Sequence, residues 1–246
     1  MSTFGQIAVT LLTTALVSQA SASAIGDLPS YRAVYRVDRD GKNSGTAEWS
    51  LTYDTERDVY RFVSSLSAKG VLRVALPEPI LERAVFRYEN GAIVPTEFFY
   101  EDGTRRGEGS YYTAFDWPKN RAITIGRGRR TDLEVQPGVL DRATMYVALM
   151  RTLASGEAPR TYRLADDDTI KTYSYARNGQ ETISTSVGTF ATEVLAQQRE
   201  GSSRQLLMWL APELGFLPVR MEQHKNGQPD SIFVLEHLEI NGIGEP

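Results

Sequence analysis

Arginine is the residue type with the clearest potential for ligand chemistry in this sequence. Arginines crowd two neighbouring polar segments of the chain, at Arg105, Arg106, Arg127, Arg129 and Arg130. A guanidinium group binds a carboxylate or a phosphate through two parallel hydrogen bonds. These segments are therefore candidate binding loops for an acidic glycan or a lipid head group, although solvated hairpin tips explain the same pattern more simply.

Three tryptophans are candidate stacking platforms for a sugar ring: Trp49, Trp117 and Trp209. Each lies in an apolar segment, so burial in a core is the competing interpretation. A glycan-active protein would also need two carboxylates at a defined separation, which the sequence does not give. A glycan-binding or glycan-active protein therefore stays an open alternative.

Motifs for catalysis or cofactor binding do not emerge from the sequence. It contains no G-x-S-x-G nucleophile motif, phosphate loop or dinucleotide fingerprint. The two histidines, His224 and His237, lack the close spacing of zinc ligands. Residues 166–168 are three aspartates without the glycine and distal glutamate of a calcium loop. We expect no catalytic residues, no metal and no cofactor, and the sequence favours a non-enzymatic protein.

The bulk composition excludes several classes of protein. The chain has 246 residues, of which 41% are hydrophobic, and a formal net charge of −4. That charge disfavours a nucleic-acid partner. The absence of cysteine from the sequence excludes disulfides, thiolate metal sites and a cysteine nucleophile.

The first 24 residues contain no charged side chain and run from an apolar stretch into small residues at alternate positions. This pattern predicts a secretory signal peptide over residues 1–24, cleaved near Ala22 or Ala24. The apolar stretch is too short and too rich in Ser and Thr to span about 30 Å of hydrocarbon. No later segment resembles a transmembrane helix. We therefore expect a periplasmic or secreted protein whose residues 25–246 form a single β-rich domain.

Alternation of apolar and polar residues dominates the rest of the chain and predicts half-buried strands. The predicted strands cover residues 31–37, 46–53, 59–68, 81–88, 93–101, 110–117, 121–125, 161–165, 170–177, 181–186, 191–199, 204–210, 216–223 and 231–240. Only residues 141–155 have helical spacing, with Asp141 as the candidate N-cap and Gly156 after the end. The fold class is therefore mainly β, an antiparallel, strongly curved sheet or partly open β-barrel with one packed helix.

Residues 209–221 form the most distinctive stretch of the sequence. An apolar strand ends at Pro212, Gly215 supplies a residue that tolerates positive φ, and Pro218 leads into a second strand. We interpret this stretch as a structural turn that joins two strands of the sheet.

The order of these motifs resembles the domain-of-unknown-function family 3108, a group of mostly bacterial exported proteins. The matching stretches are residues 31–37, 45–48, 115–117, 140–153, 187–190 and 209–221. The resemblance implies an exported β-rich domain. It implies no reaction and no catalytic residues.

A curved sheet with an aromatic inner face can enclose a ligand cavity. The leading hypothesis is a non-enzymatic binding or carrier protein of the cell envelope for an apolar or amphipathic ligand, such as a lipid or a glycolipid. Alternatives are the glycan-related protein above and a scaffold that binds other proteins through a sheet edge. A cavity filled by side chains would contradict the carrier, and a long, uncharged edge strand would favour the scaffold.

Overall fold

Fourteen antiparallel strands form one sheet in the computed structural model, which describes residues 28–241. The predicted signal peptide over residues 1–24 lies outside the described residues. The strand order is β8-β7-β6-β5-β4-β3-β2-β1-β14-β13-β12-β11-β10-β9, so the first strand pairs with the last. The strands are β1 (Ser30–Arg39), β2 (Lys42–Asp54), β3 (Val59–Ala68), β4 (Ile80–Glu89), β5 (Ala92–Asp102), β6 (Tyr111–Asp116), β7 (Arg121–Gly126), β8 (Arg129–Glu134), β9 (Tyr162–Asp166), β10 (Thr169–Ser184), β11 (Thr189–Arg199), β12 (Arg204–Ala211), β13 (Leu217–Lys225) and β14 (Gln228–Asn241).

The sheet curls into a nearly closed barrel with one seam, which lies between β8 and β9. The segment after β8 closes part of this seam. The N–H of Leu140 donates to the carbonyl of Arg163 at 3.0 Å, and the N–H of Ala165 donates to the carbonyl of Leu140 at 2.9 Å. The predicted curved, antiparallel architecture is confirmed.

Two helices accompany the sheet, α1 (Leu72–Ala75) and α2 (Thr144–Ala154). The sequence predicts α2, and Asp141 caps it as expected. Its Oδ1 accepts hydrogen bonds from the N–H groups of Ala143 and Thr144, at 2.9 and 2.8 Å. Gly156 follows the helix with φ of 78°. The one-turn helix α1 is not predicted, because four residues are too few to show a period.

Helix α2 contacts strands from widely separated parts of the sheet and therefore lies against the inner face of the barrel. Tyr146 packs on Trp49 of β2, with ring centroids 4.8 Å apart. The hydroxyls of Thr152 and Tyr162 of β9 are 3.0 Å apart. Gln197 of β11 lies 3.8 Å from the sulfur of Met145. The helix and the aromatic side chains around it fill much of the barrel interior.

Two strand predictions differ from the structure. Strand β8 is absent from the prediction. The strands predicted at residues 170–177 and 181–186 are not separate, because β10 covers the whole of the first and the second as far as Ser184. The register between β10 and β11 shifts between Arg177 and Gln180, so Gly179, with φ of 100°, marks a bulge instead of a turn. Glycine at positive φ suits either feature, so the sequence does not distinguish them.

The turn predicted within residues 209–221 is confirmed. A short 3₁₀ helix, Pro212–Leu214, separates β12 from β13, and Gly215 has φ of 64°. Phe216 also has positive φ, at 65°. Residues 209–221 thus position β12 and β13, and through them one wall of the site described below.

An antiparallel meander places successive turns at opposite ends of the barrel. The first end carries the turns at residues 40–41, 127–128, 167–168, 200–203 and 226–227, and the second end those at residues 55–58, 90–91, 118–120, 185–188 and 212–216. Neither helix within residues 28–241 has the length and apolar character needed to cross a membrane.

Candidate functional site

A polar cleft opens at the first end of the barrel, between the start of α2 and the adjoining ends of β10 to β13. Its volume is about 310 Å³. The side chains that line it include Arg142, Tyr173, Gln197, Arg199, Arg204 and Lys225. Four of the side chains that line the cleft are cationic and one, that of Asp230, is anionic, so positive charge predominates there, as in an anion site.

Strand register brings three of the cations into one row, here called the cationic row: Arg199, Arg204 and Lys225. Tyr173 of β10 pairs with Arg199 of β11. Arg199 and Arg204 flank the turn at residues 200–203. Arg204 of β12 then pairs with Lys225 of β13. Because paired residues of neighbouring strands lie on one face of a sheet, the three cations and the phenol of Tyr173 converge on the cleft.

No carboxylate within residues 28–241 forms an ion pair with any member of the cationic row. Asp230 also lines the cleft, but its carboxylate is 3.0 Å from Nη2 of Arg39. Arg199 is the strand partner of Tyr173, and its charge acts to lower the pKa of that phenol against the larger increase that burial causes. The positive charge of the row is therefore not offset by a paired carboxylate, whereas most arginines within residues 28–241 have one.

The inner end of the cleft is polar and well ordered by hydrogen bonds. Gln197, which is buried, donates from Nε2 to the hydroxyl of Tyr175 at 2.6 Å. Burial raises the pKa of Tyr175 well above its usual value, so this phenol remains protonated. Neutral hydrogen-bonding groups and cations therefore both line the cleft, a combination that suits the charged end of a ligand.

Arg142 connects the cleft to a buried ionic cluster. Its Nη2 lies 2.5 Å from a carboxylate oxygen of Glu82 on β4. Asp166 interacts electrostatically with Arg142. Its carboxylate accepts hydrogen bonds from the hydroxyl of Tyr111 at 2.9 Å and from Nζ of Lys171 at 2.8 Å. Burial alone would raise the pKa of Asp166, but Arg142 and Lys171 outweigh it and lower that pKa. Asp166 is therefore held as a carboxylate.

Asp141, immediately before Arg142, has a raised pKa, in contrast to Asp166. Its side chain is fully buried, and Oδ2 has no hydrogen-bond partner within residues 28–241. Burial raises the pKa of Asp141 to about 7, and the negative charge of Glu82 raises it further. The hydrogen bonds from Thr144 and Ala143 lower the pKa but do not outweigh burial. A raised carboxyl pKa is a common property of functional sites, but here the group caps a helix and faces no cleft.

The five arginines predicted as ligand contacts all lie at the first end of the barrel, and four of them contact carboxylates. Arg106 pairs with Glu108 and Arg130 with Asp132, at 3.4 and 3.2 Å. Arg127 and Arg129 reach across the seam to the turn at residues 167–168: Arg127 is 2.8 Å from Asp167 and Arg129 is 2.6 Å from Asp168. Arg105 is exposed in the loop after β5. A role of the five in ligand binding stays a prediction.

The three tryptophans have different environments. Trp49 and Trp209 are buried in the core, 5% and 6% exposed. The indole N–H of Trp209 donates to a carboxylate oxygen of Glu181 at 2.9 Å. Trp117 is half-buried, stacks on Phe115 at 5.4 Å and donates its N–H to the carbonyl of Pro95. Trp117 is the most exposed of the three, and a role of the three tryptophans in stacking on a sugar stays a prediction.

The two histidines form separate pairs with glutamates. Nε2 of His224 is 3.0 Å from Glu222, and Nε2 of His237 is 2.8 Å from Glu239. No group of three or more His, Asp or Glu side chains within residues 28–241 could hold a metal ion.

Sequence reasoning missed the cationic row because its members are far apart in the chain. One signal was available: Arg199 and Arg204 flank one predicted turn, and Lys225 precedes the Asn226-Gly227 turn. Alternation within β12 places Arg204 on the face of Leu206 and Met208, toward the barrel interior, whereas the positions of Arg199 and Lys225 beside it depend on strand register.

The fold and the site can be compared with known proteins. The family model for the protein of unknown function DUF3108 matches residues 30–228. The chain belongs to this family. Comparison of this DUF3108 protein with curated protein sequences gives no match.

Solved structures similar to the DUF3108 protein include a β-barrel-like protein of the domain of unknown function DUF1849 from Brucella abortus. It has 10% identity and a TM-score of 0.53, over 87% of this chain and 99% of that chain. At this identity the likeness shows the fold alone. A protein of Bacteroides fragilis named as exported, with a YmcC-like fold, has 15% identity and a TM-score of 0.40, over 87% of this chain and 97% of that chain. Because that TM-score is below 0.5, it does not bear on the fold assignment.

Proposed function

We propose that the DUF3108 protein is a non-enzymatic binding protein of the cell envelope that holds an amphipathic ligand by an anionic head group. The observation that carries this proposal is the cationic row, Arg199, Arg204 and Lys225, at the mouth of a polar cleft of about 310 Å³. A group of neighbouring cations without carboxylate partners favours a phosphate or carboxylate ligand.

Helix α2 and the aromatic side chains around it occupy much of the barrel interior, which counts against a carrier that encloses its whole ligand. The proposal is therefore restricted to binding of a head group at the cleft. Ligand cavities that enclose a whole drug-sized molecule range from roughly 300 to 1,000 Å³ and are mostly apolar. The polar cleft is at the lower limit of that range and is lined by charge, and α2 occupies the space behind it. A lipid or glycolipid would therefore be bound through its head group, while its acyl chains stay outside the barrel.

The proposed location follows from the N-terminal sequence. Residues 1–24 have the pattern of a secretory signal peptide, with cleavage near Ala22 or Ala24, which would release the protein into the periplasm or medium. An anionic head group is the part of an envelope lipid that a protein in that compartment meets first.

A scaffold that binds through a sheet edge has less support. Strand β8 has six residues, and four of them are charged: Arg129, Arg130, Asp132 and Glu134. Charged residues on a short edge strand are typical of edges that avoid pairing with another chain. Glycan binding through Trp117 and the neighbouring loops stays the second alternative, without an observation that favours it over the cationic row.

The test compares two double variants with the same loss of charge. R204Q with K225Q removes two members of the cationic row, and K69Q with R73Q removes two exposed cations outside the cleft. The probes are glycerol 3-phosphate, followed by calorimetry, and vesicles of phosphatidylcholine with or without phosphatidylglycerol, followed by sedimentation.

We expect wild type and the K69Q/R73Q control to bind the anionic probes, and R204Q/K225Q to lose at least tenfold in affinity. Binding of glycerol 3-phosphate but not of vesicles would indicate a soluble phosphorylated ligand. Stronger binding to vesicles with phosphatidylglycerol than to those without it would indicate a lipid. Equal losses in both double variants, or no binding of either probe by wild type, would overturn the proposal.

A further inference from the structure

Strand β10 extends well beyond its neighbour β9. It has 16 residues, and residues 169–173 alone pair with β9. Residues 174–184 adjoin β11 on one side and have no strand partner on the other side within residues 28–241. All of them except Tyr175 and Ile183 are exposed. An open strand edge therefore lies at the second end of the barrel, separate from the edge formed by β8.

The hydrogen-bond pattern of the β10–β11 hairpin shows which backbone groups point to this edge. The N–H of Thr185 donates to the carbonyl of Gly188 at 2.8 Å. Hydrogen-bonded and non-hydrogen-bonded pairs alternate along an antiparallel ladder. Counted back from that pair, the pairs that Ser184, Thr182 and Gln180 form with β11 are non-hydrogen-bonded. The N–H and C=O groups of these three residues therefore point away from β11, into solvent.

The composition of this hairpin lacks the features that protect an open edge. Natural proteins protect such edges with charged side chains, proline or bulges. Residues 182–192, which include the turn, contain no charged residue and no proline. The bulge at Gly179 precedes residues 180–184 and leaves them regularly paired with β11. This edge therefore differs from β8, in which four of six residues are charged.

The end of the hairpin is fixed to the barrel by hydrogen bonds. The hydroxyl of Ser186 donates to the carbonyl of Glu236 on β14 at 2.9 Å. The indole N–H of Trp209 on β12 donates to a carboxylate oxygen of Glu181 at 2.9 Å. A preformed edge loses less conformational entropy on binding than a flexible segment does. Residues 180–184 are thus ready to accept a further strand.

We propose that the DUF3108 protein forms a symmetric dimer in which residues 180–184 of two copies pair as antiparallel strands. In the symmetric register Thr182 faces Thr182 of the partner subunit, and Gln180 faces Ser184 of the partner subunit. Each outward N–H then meets an outward carbonyl. Threonine pairs across strands are favourable. Glu181, the one charged residue among residues 180–184, faces an isoleucine, and its carboxylate is turned to Trp209.

This dimer is independent of the proposed function, since residues 180–184 do not line the polar cleft. An extended segment of another protein is the alternative occupant of an open edge. A second copy is favoured because the edge is complementary to itself, with no like charges face to face. The two occupants differ in one respect: pairing between two copies places Thr182 on a two-fold axis.

The test places charges at Thr182, which is exposed. Thr182→Lys and Thr182→Glu each put like charges face to face in the dimer, whereas an equal mixture of the two variants puts opposite charges there. Sedimentation velocity from about 1 µM to 1 mM measures association, because a short edge gives a small interface and weak binding. We expect wild type to dimerise within this range and each variant alone to associate at least tenfold more weakly. The mixture should associate at least as strongly as wild type.

Two further variants separate edge pairing from folding. Thr182→Pro removes an outward N–H and no hydrogen bond to β11, so it should fold and be monomeric. Thr182→Ala keeps the N–H, is the matched control and should dimerise. If Thr182→Pro fails to fold, the charged variants still decide.

Three results would overturn the proposal. The first is a dimer that Thr182→Pro and the charged variants leave unchanged. The second is a mixture of the charged variants that associates no better than either variant alone. The third is a wild type that stays monomeric at the highest concentration, which would leave an extended segment of another protein as the occupant of the edge.

Discussion

Arg204 and Lys225 are direct partners in the antiparallel ladder between β12 and β13, so two cations face each other at the mouth of the polar cleft. Like charges in this position destabilise a sheet by roughly 0.2–1 kcal/mol. Opposite charges would have been stabilising at the same two positions. Repulsion between the two cations therefore lowers the stability of the protein, and an anion bound between them would offset that loss.

Reversal of one of these charges should separate stability from binding. We expect Arg204→Glu to stabilise the protein by about 0.5 kcal/mol, because it replaces a like-charge pair by an opposite-charge pair. The same change should abolish binding of glycerol 3-phosphate. Urea denaturation measures the first effect and calorimetry the second. A destabilised variant that still binds the phosphate would contradict the assigned role of Arg204.

Removal of the hydroxyl group should affect the stability of the protein differently at two tyrosines of β1. The hydroxyl of Tyr31 has no partner within residues 28–241, whereas that of Tyr35 donates to the carbonyl of Pro218 at 3.0 Å. We expect Tyr31→Phe to leave stability unchanged or increase it, and Tyr35→Phe to lower it by about 1 kcal/mol. Urea denaturation of both variants without added ligand tests this, and equal losses would show that the hydroxyl of Tyr31 has a partner.

Asp141 should make stability depend on pH. Its pKa is about 7 in the folded protein and about 3.9 in an unfolded chain. Between these two pH values the folded state binds more protons than the unfolded state. The contribution of Asp141 to the free energy of unfolding is therefore fully present below about pH 4 and is lost as the pH rises through 7. We expect Asp141→Asn, which resembles the protonated acid, to gain stability relative to wild type over this range, on the order of 2–4 kcal/mol.

The control for this prediction is Asp166→Asn, since the pKa of Asp166 is lowered in the folded protein. Its stabilising contribution is present above the unfolded pKa and is lost as the pH falls through the folded one. That variant should therefore lose most stability near pH 7 and least in acid. Urea denaturation at pH 4, 5.5, 7 and 8 distinguishes the two carboxylates, and a difference between Asp141→Asn and wild type that does not vary with pH would exclude the raised pKa.

The ion pairs across the seam should hold the two sheet edges together. Asp167, whose side chain is 10% exposed, lies 2.8 Å from Arg127 and 3.6 Å from Arg129. We expect Asp167→Asn to cost about 1 kcal/mol, because the arginine partners are partly solvated. Amide hydrogen exchange should accelerate in β8 and β9 first. Glu108→Gln, which breaks the exposed pair with Arg106, is the control and should leave exchange at the seam unchanged.

The alternation of apolar and polar residues predicted most strands because one face of each is buried against the barrel interior. Strand β8 was not predicted because it lacks this alternation. It has a single apolar residue, Leu133, and as an edge strand it buries little surface. Strand β10 was divided in two because Asn178-Gly179 has the composition of a hairpin turn, whereas here Gly179 lies in a bulge.

The candidate site was less accessible to sequence reasoning than the fold. Arginine-rich segments were prominent in the sequence, but the structure places Asp167 and Asp168 beside Arg127 and Arg129 across the seam. These ion pairs across the seam join parts of the chain that no local sequence pattern connects. The cationic row likewise depends on strand register, which fixes Arg204 opposite Lys225 only when the bulges and turns between them are known.

The most direct test of head-group binding is native mass spectrometry of the mature protein purified from its own envelope fraction, beside the R204Q/K225Q variant prepared in the same way. We expect wild type to carry a stoichiometric anionic lipid or glycolipid, identified after release by denaturation, and the variant to be recovered without it. An uncharged ligand, equal loading of both proteins, or a wild type that carries no ligand would contradict it.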